Sequence, residues 1–573
     1  MKNWFVALRH ADFDEIAGKF DISPVLARII RNRDIIGDDA IFMYLNGTVE
    51  DMHDPHKLKD IDKASSILYD AVASGEKIFI VGDYDVDGVC SSYILLKGLT
   101  YLGGNAKVRL PDRVADGYGI NSVMIDEAVE WGADIILTCD NGIAAFNETG
   151  YAKEKGLKVI ITDHHEVPYE ESKDEKKYII PAADAVVDPK QEDCDYPFSE
   201  ICGCMVAYKL MQCIFEKAGK GEELLREFLM FTGFATVEDV MELKDENRIA
   251  VKYAIEQMKT TDNPGMKCLI DVTGIDRSRL SPYHIGFILG PCINASGRLD
   301  SAQRALLMFT CDTYEEALPV AMELKELNDS RKELTERYLD KAVKIIESDP
   351  ELGSDRVLVV HIPDCHESLA GIIAGRIREK YYRPVFVLTG EKENVKGSGR
   401  SIEAYNMHGE MSRCAEFFTK FGGHKMAAGL SMNEKDIEGF REKINEYCTL
   451  TDDEMTEKML IDIPLPVEYA TMELAKELSK LEPYGNGNRR PLFARKDLIP
   501  YDIKVLGKNR NTVKLKLRSG DHATGSAEAI CYGDGDEIAA SMKEKGKIDI
   551  AYEISINTYM DRSSVQLVIK DFR

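Results

Sequence analysis

No C-x-x-C pair occurs among the thirteen cysteines of this 573-residue chain, and their number is odd. Cys202 and Cys204 are separated by one residue and the others are scattered. That pattern excludes a disulfide frame and a zinc knuckle, and it points to reduced, cytoplasmic thiols. No apolar run approaches the roughly 18 residues of a membrane span, so no membrane partner is expected. The start, MKNWFVALRHADFDE, turns acidic too soon for a secretory signal. Positive charge is scarce: 73 Lys and Arg stand against 99 Asp and Glu, a formal net charge of −26. A broad basic surface for nucleic acid or anionic lipid is therefore excluded, although a local one is not. Internal repeats and low-complexity tracts are also missing. What is there is ordinary for a globular chain, 44% hydrophobic and 30% charged, with length for roughly three or four domains.

Residues 1–45 read as helical and mixed, an N-terminal extension. From about 60 to 240, short apolar runs (IFIV, ADIILT, KVIIT, ADAVV) alternate with helix-like stretches such as SSYILLKGLTYLG. This is the rhythm of a parallel sheet covered on both faces. Residues 313–348 predict one long charged helix, about 50 Å at 1.5 Å per residue, with Pro319 in its first turns or at a kink. It suits a strut between domains and, equally, a plain surface helix. A second α/β unit begins near residue 353 with RVLVVHI. After about 455, short alternating segments (YDIKVLG, TVKLKLRS, AEAICYG, KIDIAYEISIN, SVQLVIKDF) predict a small barrel or sandwich.

The stretch IFIVGDYDVDG, residues 78–88, carries Asp83, Asp85 and Asp87 directly after an apolar run. An EF-hand loop shares the D-x-D-x-D-G text but needs a preceding helix and a bidentate acid at position twelve. Counting from Asp83, that position is Ile94, and IFIV reads as a buried strand. In an open parallel sheet, ligands bind outside the carboxyl ends of the strands. By that rule Asp140 in CDNG, the triplet Asp163-His164-His165 after KVIIT, and Asp239 in FATVEDV join the three aspartates on one rim. In extended chain, residues two apart point the same way, so the three carboxylates are expected on one side of a strand end. Taken alone, the aspartates fit an acidic turn and the Asp-His-His fits a loop. Together they call for cations, because converging carboxylates repel. Two divalent ions about 3.5–4 Å apart would neutralise them and clamp a phosphoryl group for hydrolysis. Imidazole among the carboxylates favours Mn2+ over Mg2+.

The ordered text GDYDVDG, PDRVADGYG, CDNG, TDHH, GPCINASGRL, HESLAGIIAGRI, GSGRS, FGGHKMAAG and EPYGNGNRRPLF resembles the RecJ-type branch of the DHH phosphoesterase family, over nearly the whole chain. The resemblance implies an α/β fold. A parallel-sheet DHH catalytic domain (46–312) would be joined by the helix 313–348 to a smaller α/β DHH-associated domain (349–455). A C-terminal OB-like β-barrel for nucleic acid (456–573) would follow. It implies a single-strand-specific DNA exonuclease working 5′ to 3′ in repair and recombination, with two divalent metal ions. A single-strand-binding protein and a RecQ-like helicase are partners by family analogy.

Roles carry over by motif. Asp85 and Asp87 would each face one metal, Asp140 would bridge both, and His164 and Asp239 would complete one site, with Asp83 supporting the cluster. His165, within the triplet headed by Asp163, is expected to contact the scissile phosphate or protonate the leaving oxygen. Arg113 in PDRVADGYG, Asn294 and Arg298 are expected along the strand. Arg376, Ser398, Arg400, the backbone of Gly422 and Gly423, and His366 and His424 are expected to hold it in the second domain. Guanidinium groups match phosphate bidentately; without the motifs, each arginine would read as a surface charge.

Residues 482–518 hold ten Lys or Arg against three acids, interleaved with Tyr484, Phe493 and Tyr501, a local basic stretch able to track a backbone and stack bases. The text departs from the family's in places: Cys292 where relatives carry arginine, Asp116 for glutamate, Glu238 beside the metal aspartate, and Arg489 for proline. Cys292 removes one expected backbone contact, and Glu238 is expected to alter metal affinity. Two other readings stay open: a DHH phosphodiesterase acting on oligoribonucleotides or cyclic dinucleotides, and a non-catalytic single-strand-binding scaffold.

Overall fold

The computed structural model describes residues 2–113, 115–171, 176–519, 526–559 and 562–573. Val114 of the PDRVADGYG motif lies outside them. The chain divides into two compact units, one of Ala7–Asn328 with Asp462–Phe572, the other of Asp329–Ile461 with the N-terminal residues to Val6 and Arg573.

The first unit is built on a parallel sheet of β1 (Lys77–Val81), β2 (Asn105–Arg109), β3 (Ile135–Cys139), β4 (Lys158–Thr162) and β5 (Ala185–Val187), in the order β2-β1-β3-β4-β5. Alternation divides each central strand between two cores. Ile78, Ile80, Ile135 and Leu137 lie in one, while Phe79, Val81, Ile136 and Ile161 lie in the other. Both faces are covered, which is why these strands read as continuous apolar runs. Three helices concern the site: α1 (Val86–Tyr101), α2 (Gly203–Ala218) and α3 (Glu222–Glu238), and α1 packs against both others.

The C-terminal part of the same unit is a six-stranded sheet. Its long strand Phe493–Leu506 pairs with both Thr512–Ser519 and Ile548–Tyr559, closing the sheet on itself. The strands are longer than the short segments expected: 14, 12 and 11 residues for Phe493–Leu506, Ile548–Tyr559 and Arg562–Phe572. The register of the first shifts between Arg495 and Leu498 and between Tyr501 and Lys504. Asp497 and Asp502 sit there at φ 59° and 50°. These bulges carry breaker residues inside one bent strand, which hid its continuity. The expected N-terminal extension folds as helices Phe13–Phe20, Pro24–Asn32 and Asp38–Asn46. Leu26, Ile29, Ile30 and Tyr44 share one core with Leu481, Phe493, Leu515 and Tyr552.

Two buried guanidinium groups tie this part together. Arg248 donates to the carbonyls of Tyr44 (2.8 Å), Leu481 (3.1 Å), Lys480 (3.2 Å) and Glu482 (2.6 Å). Arg33 donates to Asn488 Oδ1 (2.9 Å) and to the carbonyls of Ile29 (2.9 Å) and Arg489 (2.6 Å).

The second unit holds a five-stranded sheet in the order Phe418–Gly423, Ala427–Met432, Val395–Arg400, Val385–Thr389, Leu358–His361; only the last pair is parallel. Helix α4 (Glu367–Tyr381) packs on two of its strands. The expected long helix is present as Tyr314–Ser348 with Pro319 inside it, and the division between units falls within it. Among the described residues no helix is long and apolar enough to cross a membrane.

Replacing Arg248 by methionine strips several carbonyls of a buried donor. The expected cost is about 3 kcal/mol or more, seen as a lower urea midpoint by circular dichroism. An unchanged midpoint would mean that those carbonyls do not depend on Arg248.

Candidate metal centre

The three aspartates after β1 do not lie on one extended segment, since the helix begins at Val86. Asp85 caps α1, its side chain accepting from the amides of Asp87 (3.0 Å) and Gly88 (3.2 Å), and Asp87 is already in the first helical turn. Strand alternation is therefore the wrong reason for their convergence; a turn and a helix start bring them together. Asp87 reaches further. Its carboxylate accepts from the amides of Gly203 (2.6 Å) and Cys204 (2.8 Å), the open N-terminus of α2, whose own cap residue Cys202 supplies no side-chain bond. A helix N-terminus stabilises negative charge. Gly203 also leaves room for the centre: a Cβ there would lie 2.8 Å from Asp140 Oδ1. Neither amide was visible in the sequence.

Asp140 follows β3 with a left-handed backbone, φ 61°. His164 follows β4, and its Nε2 stands 3.1 Å from Asp140 Oδ1, 3.6 Å from Asp87 Oδ2 and 3.6 Å from Asp239 Oδ2. Asp239 was expected after a short strand-like run; it is instead the C-cap of α3. Among the described residues, three groupings at this rim offer ligand atoms within 4.8 Å of one another: Asp83, Asp85 and Asp140; Asp87, His164 and Asp239; Asp140, His164 and His165. Asp140 is common to two of them. Every expected metal residue is thus brought to one rim.

The electrostatics fit divalent cations. Two unit charges near that separation repel by about 3–4 kcal/mol at an effective dielectric of roughly 20. Burial, then the charge of Asp85, pushes Asp83 up to about 8. Burial, then Asp87 and Asp85, does the same for Asp239, to about 8. Asp85 and Asp140 are raised by burial and then by neighbouring aspartates. Burial lowers His164, keeping its imidazole neutral and able to ligate. Both ring nitrogens of His164 and Asp83 Oδ1 are buried without a hydrogen-bond partner. A neutral imidazole facing three carboxylates, in hydrogen-bond geometry with none, is the donor set of a metal ion.

Asp163 works through its neighbour. Its Oδ1 accepts from the amides of His164 and His165 and from His165 Nδ1 (2.7 Å), and its Oδ2 accepts from the Ile143 amide (2.9 Å). Burial alone would raise this carboxyl; the bond and charge of His165 hold it below its usual range. Burial opposes protonation of His165, but the bond to Asp163 and the surrounding aspartates push it up to about 9. His165 is exposed, and Tyr118 Oη stands 3.2 Å from its ring nitrogens while donating to the Asp140 carbonyl (3.1 Å). Sequence reasoning missed Tyr118. It also missed Asp188, a buried carboxyl at the end of β5, raised to about 8 by burial and then by Asp163.

The remaining expected residues divide by unit. In the first, Arg113 stacks on the Tyr84 ring at 4.9 Å and acts on Asp83, and Arg298 lies near Tyr84. Asn294 Nδ2 donates to Glu238 Oε2 (3.1 Å), so Glu238 turns toward Asn294 and enters none of the metal groupings among the described residues. Cys292 is buried between the Ile288 carbonyl (3.2 Å) and Asn328 (3.3 Å), a core residue. Asp116 takes Arg109 (2.9 Å) and the Asp112 amide (2.8 Å), a structural pairing. In the second unit, Gly422, Gly429 and Ser398 lie opposite one another across three strands. Gly423 follows on the same edge strand, opposite Ala428. Arg400 is on the face of Ser398 with its guanidinium over Gly371 of α4. His424 is exposed, and His366 caps α4 through Ser368. Arg376 is exposed and pairs with Glu379 at 3.4 Å on its own helix.

Residues 77–236 match the DHH family, N-terminal domain, residues 354–450 the DHHA1 domain, and residues 461–571 the RecJ OB domain. The single-stranded-DNA-specific exonuclease RecJ of Bacillus subtilis (strain 168) is 33% identical over 96% of this chain and 68% of its own length. That of Salmonella typhimurium is 31% identical over 98% of both. The chain belongs to the RecJ family. A crystal structure of RecJ in complex with Mn2+ from Thermus thermophilus is similar at TM-score 0.83 and 26% identity, covering 100% of this chain and 79% of that one. An exonuclease RecJ bound to manganese is similar at TM-score 0.59 and 30% identity, covering 69% of this chain and 96% of that one.

The RecJ OB match falls on the closed sheet that carries the basic stretch. Phe493 is fully buried in its core and is no stacking platform, whereas Tyr484 is half-buried, its Oη donating to the Leu478 carbonyl (2.7 Å) and Arg490 lying over its ring at 4.8 Å. Tyr501 is exposed, with Arg518 at 5.8 Å.

The raised carboxyls predict a proton-linked metal site. Below about pH 8 the metal-free cluster retains protons, so Mn2+ binding at pH 7 should release them and affinity should rise toward pH 8. Folded values above unfolded ones mean that this contribution to stability is full below the ordinary carboxylate range and is lost as pH rises through about 8. The melting temperature of EDTA-treated protein should therefore fall from pH 5 to 8, with Mn2+ restoring most at pH 8. A flat profile with no proton release would contradict the site.

Proposed function

We propose that this chain is a divalent-metal-dependent exonuclease that degrades single-stranded DNA from its 5′ end to mononucleotides in repair and recombination. The carrying observation is the rim cluster in which Asp140 belongs to two ligand groupings at once, in a chain of the RecJ family with a matching OB domain. Asp83, Asp85 and Asp140 would hold one Mn2+ or Mg2+, and Asp87, Asp140, His164 and Asp239 the other. Bound there, the ions supply the positive charge that draws electron density from the scissile phosphate and lowers the pKa of water.

The chain's own groups do the rest. Asp163 fixes His165 by Nδ1 and favours its charged form, leaving Nε2 to hydrogen-bond the phosphate and protonate the departing O3′. Arg113, Asn294 and Arg298 line the approach of the strand. Ser398, Arg400 and the exposed edge-strand Gly422, with His424 beyond it, suit a terminal 5′-phosphate. Tyr501, Arg518 and the neighbouring lysines track the strand on the OB domain. A cytoplasmic location accords with thirteen cysteines that are all free. A single-strand-binding protein and a RecQ-like helicase belong to the same reading as partners.

The test is product analysis with Mn2+ on single-stranded DNA labelled separately at each end, beside single-stranded RNA and a cyclic dinucleotide. Mononucleotides appearing first from the 5′ end of DNA are expected. Cleavage of only the RNA or the cyclic compound would move the substrate class, and binding without cleavage would make the chain a scaffold. Asp140→Ala should abolish hydrolysis and leave strand binding mostly intact; near-normal turnover would overturn the two-metal assignment. Arg400→Ala should reduce the preference for a 5′-phosphate, and an unchanged ratio of phosphorylated to unphosphorylated cutting would remove it from that role.

A further inference from the structure

Asp239 ends its helix, and the residue after it is in an unfavourable conformation. Val240 has φ 55°, the left-handed region, and is exposed. A β-branched side chain there is a genuine outlier, worth about 1–3 kcal/mol of strain. α3 closes this turn itself, the Met241 amide donating to the Thr236 carbonyl (3.1 Å) and the Val240 amide to that of Val237 (3.2 Å), and something outside α3 adds to the hold.

That something is one residue of the YGNGN turn, far away in sequence and inside the segment matching the RecJ OB domain. Asn486 Nδ2 donates to the Val240 carbonyl at 2.7 Å, and the Asn486 carbonyl accepts from the Leu243 amide at 2.8 Å. A single residue thus grips both ends of the loop Val240–Leu243. The approach is close on either side of it: a Cβ on Gly485 would lie 2.7 Å from Leu243 Cδ1, and one on Gly487, itself at φ 67°, 2.9 Å from Glu242 Cβ. Because Val240 is exposed, water would satisfy its carbonyl without help. The bond from Asn486 is therefore not needed for solvation, and what it adds is conformation.

The turn that presents Asn486 is rigid. Gly485 and Asn488 exchange backbone hydrogen bonds at 3.0 and 3.2 Å. Asn488 is buried; its Nδ2 donates to the carbonyls of Leu481 and Pro483 (2.8 Å each), and its Oδ1 accepts from Arg33 (2.9 Å) and Tyr44 (2.8 Å). The Arg248 guanidinium holds the carbonyls just before it. A stiff support thus meets the strained loop one residue from Asp239.

We propose that Asn486 is a positioning residue for Asp239, so that the OB segment completes the metal centre of the DHH sheet as well as meeting nucleic acid. This rests on the reading of Asp239 as a metal ligand. Supports behind a ligand typically govern about 10–100-fold of metal affinity.

The experiment measures Mn2+ binding to the full chain by electron paramagnetic resonance of free Mn2+, for the wild type, Asp239→Asn, Asn486→Ala and Asn486→Asp. The aspartate variant keeps size and turn preference but sets an acceptor against the Val240 carbonyl. Both Asn486 variants should weaken one of two Mn2+ sites about tenfold or more, with the melting temperature of the metal-free protein unchanged. The Mn2+ concentration for half-maximal hydrolysis should rise, with the rate restored by excess Mn2+. If Asp239→Asn binds Mn2+ like the wild type, the metal reading of Asp239 fails and the buttress with it. If Asp239→Asn weakens binding while a folded Asn486 variant, either one, binds like the wild type, the buttress alone is overturned.

Discussion

Mutual repulsion of carboxylates at one sheet rim is the constraint around which the first unit is arranged. Five aspartates and a neutral imidazole share a space in which each charge costs its neighbours. The fold meets this with donors fixed in advance. Asp85 sits on the N-terminus of α1, Asp87 on that of α2, and Asp163 takes three amides and an imidazole. None of these donors removes the repulsion among Asp83, Asp140 and Asp239, and that residual is what divalent cations relieve. Metal affinity and instability of the empty site are two expressions of one arrangement.

The supports of that rim come from widely separated parts of the chain. Gly203 gives Asp140 its room, and the turn around Asn486 restrains the loop after Asp239. Arg33 and Arg248 then bind the N-terminal helices and the segment before the closed sheet through backbone carbonyls. Such carbonyls make durable partners because they neither titrate nor change rotamer. In the second unit a different economy holds. Small residues lie opposite one another across three strands near Arg400.

Much of the site was legible because its chemistry is carried by short local text. Aspartates and the Asp-His-His sit at ends of strands whose apolar runs are long enough to read, so the rim could be assembled from rule alone. Asp239 was placed on the rim but for the wrong reason, since a buried helix and a buried strand share the same apolar text over a few residues. Phe493 looked like a stacking ring among cations, yet its burial depends on how a bulged strand closes a sheet. Cys292 looked like a change at the nucleic-acid path and Glu238 like a change at the metal. In the fold one is core, and the other is turned toward Asn294.

By itself the sequence determined the α/β rhythm, the long helix, the identity of the side chains gathered at the rim and the family to which the chain belongs. These follow from periodicity and from residue types whose chemistry allows few substitutes. Tertiary structure alone decided which amides stabilise Asp87, that Asp163 acts on His165, that Arg376 lies beside Glu379, and that Asn486 reaches Val240. Each of those is a contact between residues far apart in the chain or a choice among local partners. Such choices are made by packing, in which a few tenths of an ångström and one missing Cβ select the neighbour.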